Sequence, residues 1–228
     1  MKRGVAIKAL LRRCSEDAAE LDGIYAVARS EATLGDSAKV LIKNTFENLR
    51  SCLDYFAHEI FESCCIGHKK PDRLYFPIRD SQTQFQSAVQ KGFPGLKVGA
   101  PKVYQLIESV QPYNTQDAWL DHLNKLNNQN KHEDLADHIR VAGRRITIER
   151  DGAIVGIGPN VGIALGATFL DVSIDPISRL PSPSGSAKVT VEPWANFYFE
   201  GVECPVNVFL ADCIRKVEQL FLAIEGVV

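Results

Sequence analysis

From residue 5 to 33, Ile7, Leu11, Cys14, Ala18, Leu21, Tyr25 and Ala28 recur at alternating spacings of three and four. That is the apolar stripe of one long amphipathic helix. Leu34-Gly35-Asp36-Ser37 follows, with a glycine to end one helix and polar side chains to cap the next. The stripe resumes at Ile42, Phe46, Leu49, Leu53, Phe56, Ile60 and Cys64. Two long helices joined by so short a turn are predicted to pack antiparallel. Glycines and prolines then break the region 67–101 into a loop-rich cap with room for one short helix over 81–90. Two more helices are predicted over 101–110, which opens with proline, and over 115–130, with Trp119, Leu120, Leu123 and Leu126 inward.

After about residue 139 the period drops from 3.6 to 2. Ile146 and Ile148 alternate with polar residues, Asp151-Gly152 is a two-residue hairpin signal, and Ile154 and Val155 continue beyond it. Thr168, Leu170, Val172 and Ile174 form another alternating run, and 188–192 with 197–199 add further strand, so three to five antiparallel strands are expected. Residues 175–187 read as a proline and serine loop, and Val206, Phe209, Leu210, Cys213, Val217, Leu220, Phe221 and Ile224 mark a closing helix. The predicted class is α+β: a helical bundle over 1–138 capped at about 67–100, an antiparallel β region over 139–204, and a C-terminal helix over 205–228 that packs back on the bundle.

Composition narrows the chemistry only slightly. A chain of 228 residues with 45% hydrophobic residues can bury a core without staples. A formal charge of -2 argues against a globally basic nucleic-acid binder and leaves local patches open. The 6 cysteines contain no CxxC pair and read as free thiols of a reducing compartment, with Cys64 on the core stripe. No apolar leader region follows the basic N-terminus and no run reaches the ~18 apolar residues of a membrane helix, so the cytoplasm is expected and a membrane partner is not. The phosphate-loop, dinucleotide and nucleophile-elbow patterns are missing, and no cofactor is implied. His122, His132, Asp134, Asp137 and His138 cluster in sequence, but without a ligand spacing that would predict a metal site.

Two polar constellations carry what chemistry there is. On the second helix Arg50, Asp54 and His58 stand at i, i+4 and i+8, with Lys43 and Glu47 in the same sector beside the leucine stripe. One reading makes them ordinary intrahelical pairs on a wet face, worth a few tenths of a kcal/mol each. The other makes His58 an acid or base oriented by Asp54, with Arg50 a positive fork for a phosphodiester. In LNKLNNQNKHED, Asn127 and Asn130 extend the apolar stripe beyond Leu123, where an amide requires partners. They either hold a helix end and loop backbone, or join Lys131 and His132 in a pocket facing the Arg50/Asp54/His58 ribbon.

The block order NLRSCLDYFAHEI, LYFPI, LIESVQPY and LNKLNNQNKHEDL resembles a widespread group of bacterial proteins that carry similar blocks over about the first 140 residues. More loosely, an arginine and a histidine on one helix of a bundle resemble the HEPN superfamily, here at a wider spacing than that family's motif. That resemblance implies a metal-independent endoribonuclease or RNA-binding protein of a defence or stress system, acting as a homodimer, with Arg50 and His58 as the carried-over pair. The resulting expectation is catalysis by Arg50, Asp54 and His58 and substrate contacts from Asn127, Asn130, Lys131 and His132. The alternative is a non-catalytic binding or assembly module in which the same polar cluster is a structural hydrogen-bond network.

Overall fold

The computed structural model of the chain describes residues 1–31, 34–132, 139–158, 161–182 and 186–228, with the side chains of residues 29–31 and 130–132 outside that description. Its helices are α1 (Gly4–Glu31), α2 (Asp36–Cys64), α3 (Gln82–Gly92), α4 (Leu96–Gly99), α5 (Pro101–Ser109), α6 (Trp119–His132) and α7 (Val206–Glu225). Its strands are β1 (Ile139–Arg150), β2 (Ala153–Ile157), β3 (Thr168–Phe169), β4 (Val172–Ser173) and β5 (Lys188–Tyr198), so the chain is α+β.

Contacts between α1 and α2 run in opposite directions along the two helices. The Cys14 thiol donates to the Thr45 carbonyl, the Cys52 thiol to the Ile7 carbonyl, and the Lys2 and Arg3 amides to the Glu59 carboxylate, which is the antiparallel pairing expected. Glu59 is 2% exposed and serves as a long-range cap. Its two oxygens take the Lys2 and Arg3 N–H groups at 2.9 and 2.7 Å, donors just ahead of α1 that no earlier turn can satisfy. The helix α2 itself starts differently from the expectation. Gly35 holds the cap position in an extended conformation without a side-chain bond, and Asp36 lies in the first turn, where its charge complements the helix dipole.

The closing helix α7 packs on α1, α2, α5 and α6, and aromatic rings fill the space between. Phe46, Phe56 and Phe221 are all at most 2% exposed, with Phe56 and Phe221 stacked at 6.2 Å. The three-stranded sheet has the order β2-β1-β5, antiparallel throughout. Its hairpin turns through Asp151 and Gly152 at φ 51° and 81°, the left-handed pair such a turn requires. One end of β5 sends Ala195, Phe197 and the adjoining Phe199 into the helical core, where the Phe197 ring meets Tyr25 edge-on at 5.5 Å. At the other end Ile146, Ile148, Ile157, Val172 and Ile174 form a separate small core.

Three sequence expectations change in detail. The run from Thr168 to Ile174 is not one strand: Leu170 and Asp171 adopt φ 48° and 63°, and β3 folds back on β4. The sixth helix begins at Trp119 rather than at residue 115, because the Thr115 hydroxyl bonds the Asp117 carbonyl at 2.7 Å and holds a turn. Cys65 is the buried member of the Cys64-Cys65 pair, and Cys64 is half-buried. All six thiols are free, and no helix among the described residues is long and apolar enough to cross a membrane.

Candidate functional site

The site starts from the edge of the α2 stripe. One turn apart and beside the buried Leu49 and Leu53, Arg50 and Asp54 form an ion pair at 3.1 Å, with their side chains 14% and 24% exposed. The second Arg50 amino group donates to the Asn124 Oδ1 of α6 at 3.3 Å, so the guanidinium is fixed from two helices. Such a fork loses little rotamer freedom when it takes an anion.

Asp54 does more than pair with Arg50. Its Oδ1 also accepts the Phe76 N–H at 3.1 Å, which clips the extended segment after Pro71 onto α2. Along that segment Arg73 and Tyr75 are exposed and alternate with buried Leu74 and Phe76 as in a strand, Pro77 and Ile78 are then both buried, and Arg79 is exposed; among the described residues the segment has no sheet partner. The far end is held by Gln111, which is fully buried. Its Oε1 accepts the Arg79 N–H at 3.0 Å, and its Nε2 donates to the Pro77 and Ile107 carbonyls at 2.8 and 2.9 Å. Asp54 and Gln111 thus satisfy backbone groups that a sheet would otherwise satisfy, and in doing so they aim Arg73, Tyr75 and Arg79 outward.

The third wall is α6, whose stripe turns polar at Asn124, Asn127 and Asn128. Asn127 is 1% exposed, its Oδ1 is buried, and neither amide atom has a hydrogen-bond partner among the described residues. A buried amide without a partner costs about 1–3 kcal/mol, which a fold tolerates where the group serves something else.

These three walls and one face of α3 enclose a cavity of about 630 Å³, within the ~300–1,000 Å³ of small-ligand sites. Arg50, Arg73, Arg79 and Lys91 line it against the single carboxylate of Asp54, with the three asparagines and Tyr75 between them. On a chain of formal charge -2 this is a concentrated positive patch inside a concave surface, where low-dielectric walls strengthen the field.

The ribbon predicted on α2 is therefore divided. Arg50 and Asp54 face the cavity, Lys43 and Glu47 pair with each other at 3.4 Å, and His58 is not among the described lining residues. The charged groups acting on His58 are Lys70, Arg3, Glu62 and, last, Asp54; burial, then Lys70 and Arg3, push its pKa below the ordinary value. Its Nδ1 is buried without a partner, and no hydrogen bond joins it to Asp54, among the described residues. The neighbouring Glu62 is held down at about 2 by its hydrogen bond from Arg3. Asn127 joins Arg50 and Asp54 at the cavity, whereas the side chains of Asn130, Lys131 and His132 lie outside the described residues. So do Asp134, Asp137 and His138 of the histidine-rich stretch, and the His122 ring packs near Phe209 at 6.1 Å.

Arg73, Tyr75, Arg79, Lys91 and Asn124 line the cavity without having been singled out from the sequence. The available signal was the RLYFPIRD segment, where Leu74, Phe76 and Ile78 stand two residues apart and Arg73, Tyr75 and Arg79 lie between and beside them. No protein-family model, curated protein or solved structure matches the chain.

Proposed function

We propose that the cavity binds a phosphorylated nucleotide, free or as part of RNA, and holds it without cleaving it. The observation that carries this reading is the unpartnered buried amide of Asn127 beside four cations and one carboxylate. Cations select an anion, and the pre-positioned Arg50 fork suits the paired oxygens of a phosphate. The idle amide supplies a donor and an acceptor suited to a base edge, and the Tyr75 ring, 58% exposed, offers a face for stacking. Binding is favoured over cleavage because acid/base work needs a second titratable group within reach of the reacting proton. His58, the group with the right ordinary pKa, is absent from the described cavity lining, and Asp54 Oδ1 is committed to Arg50 and Phe76.

Calorimetric titration with the four ribonucleoside 5′-monophosphates tests the proposal. At least one is expected to bind with a Kd that weakens with salt, to lose roughly ten- to a hundredfold on Arg50→Gln, and to keep its affinity on His58→Ala. An uncharged nucleoside that binds as tightly as its monophosphate, or no heat from any of the four at millimolar concentration, would refute it. RNA cleavage by the purified protein that disappears in His58→Ala would restore the HEPN-like nuclease reading in its place.

A further inference from the structure

Beside the main cavity, on the outer side of Arg79 and Lys91, lies a second concavity of about 400 Å³. Arg79, Ala88 and Lys91 belong to both linings, so the two spaces share a wall made of two cations and a small side chain. The outer space adds Thr83, Gln84 and Ser87 of α3. Thr83, Ser87 and Lys91 are spaced by four residues and stand on one exposed helix face, over roughly 12 Å of helix axis at ~1.5 Å per residue.

The hydroxyls on this face are uncommitted. On the two long helices the hydroxyls of Ser15, Thr45 and Ser51 turn back on the carbonyls of Leu11, Leu41 and Glu47, four residues earlier. Ser87 makes no such bond, and neither Thr83, Ser87 nor Lys91 has a side-chain hydrogen bond or ion pair among the described residues. A row of free donors continuing outward from a cationic wall matches the phosphates of a chain, whereas a single phosphate would be satisfied within the main cavity.

We infer, resting on the nucleotide reading above, that the ligand is a single-stranded oligonucleotide: one unit occupies the main cavity, and the next phosphates pass between Arg79 and Lys91 and run along Thr83 and Ser87.

The test is fluorescence anisotropy, by competition, with a uridine mononucleotide, its di- and tetranucleotide, and inorganic tripolyphosphate, on the wild-type chain and on Ser87→Glu. Both residues of the outer row are exposed, so this substitution leaves the core untouched. Affinity is expected to rise on the order of tenfold from mono- to tetranucleotide as phosphate and stacking contacts add. Ser87→Glu is expected to remove most of that gain and to weaken the mononucleotide by no more than about twofold, the share its carboxylate takes from Lys91 one helical turn on. Equal affinity for mono- and tetranucleotide, or a Ser87→Glu effect of the same size on both, overturns the extended site while the nucleotide reading stands. Tripolyphosphate binding as tightly as the tetranucleotide overturns the nucleic-acid assignment in favour of a general polyanion site. Failure of the uridine mono- and tetranucleotide alike overturns this inference, and takes down the nucleotide reading with it where the other three monophosphates also give no heat.

Discussion

Replacing Asn127 by leucine separates an amide kept for a ligand from one that holds the fold. The two side chains have similar size and branching, so the substitution changes polarity more than volume. Asn127 is 1% exposed and its Oδ1 has no partner, so the folded state carries a desolvation penalty of about 1–3 kcal/mol that leucine removes. Part of that penalty is already relieved by the amide's place on the cavity wall, and the lower end, about 1 kcal/mol, is the expected gain. For a chain of this length it corresponds to a rise of roughly 2–4 °C in Tm. Urea unfolding at constant m-value, with a thermal melt alongside, reads the stability, and nucleotide titration reads the ligand. Higher stability together with lost binding is the expected pair of results. A stability loss of more than about 1 kcal/mol would refute the reasoning, because that is how a hydrogen-bonded buried amide behaves.

Three further outcomes follow from the same geometry. Asp54→Ala is expected to destabilise by about 2–3 kcal/mol, through a lost acceptor for Phe76 N–H and an unpaired Arg50, whereas Asp54→Asn keeps an acceptor and loses less than half of that; comparable losses in urea unfolding would sink the clip. Glu59→Ala strands the Lys2 and Arg3 amides at the start of α1 and should destabilise by about 3 kcal/mol, with hydrogen exchange accelerated first in that turn; unchanged exchange there would argue against the long-range cap. The His58 pKa lies below 6.5 in the folded chain, so between that value and 6.5 the unfolded state binds more protons and stability rises with pH. Unfolding free energy is therefore expected to fall as pH drops through about 6.5, and His58→Gln should flatten that part of the profile; a wild-type curve flat from pH 7.5 to 5.5 would contradict the sign.

The helices were legible because each writes its own period into the chain. Leu49, Leu53 and Phe56 on α2, and Trp119, Leu120, Leu123 and Leu126 on α6, were assigned inward from spacing alone and are buried. The Asp151-Gly152 hairpin was legible for the same local reason, since its two left-handed residues are named by composition. What local period cannot give is an extended segment without a ladder. Leu74 and Phe76 alternate with exposed Arg73 and Tyr75 as in a strand, but the backbone of the segment is satisfied by Asp54 and Gln111, side chains 22 and 32 or more residues away. Prolines and glycines on either side made the whole region read as a loose cap.

The same long-range bonds decide which polar residues become a site. Arg50 and His58 share one helix with Asp54 between them, and helical geometry alone treats the pair evenly. Packing does not: the segment clipped at Phe76 brings Arg73, Tyr75 and Arg79 to the Arg50 side of Asp54, while His58 comes under the charges of Arg3, Glu62 and Lys70. Asn127 was flagged by its place on an apolar stripe, and what the sequence left open was whether a partner awaited it there. Two helical turns of α2 therefore carry two separate environments, a cationic cavity and a charged clasp on the N-terminus. A substitution in one is expected to leave the other's readout unmoved, so Asp54→Asn should not alter the His58-dependent pH profile beyond the loss of Asp54's own weak field. Strong coupling between them in a double-mutant cycle would mean that the ribbon acts as one unit after all.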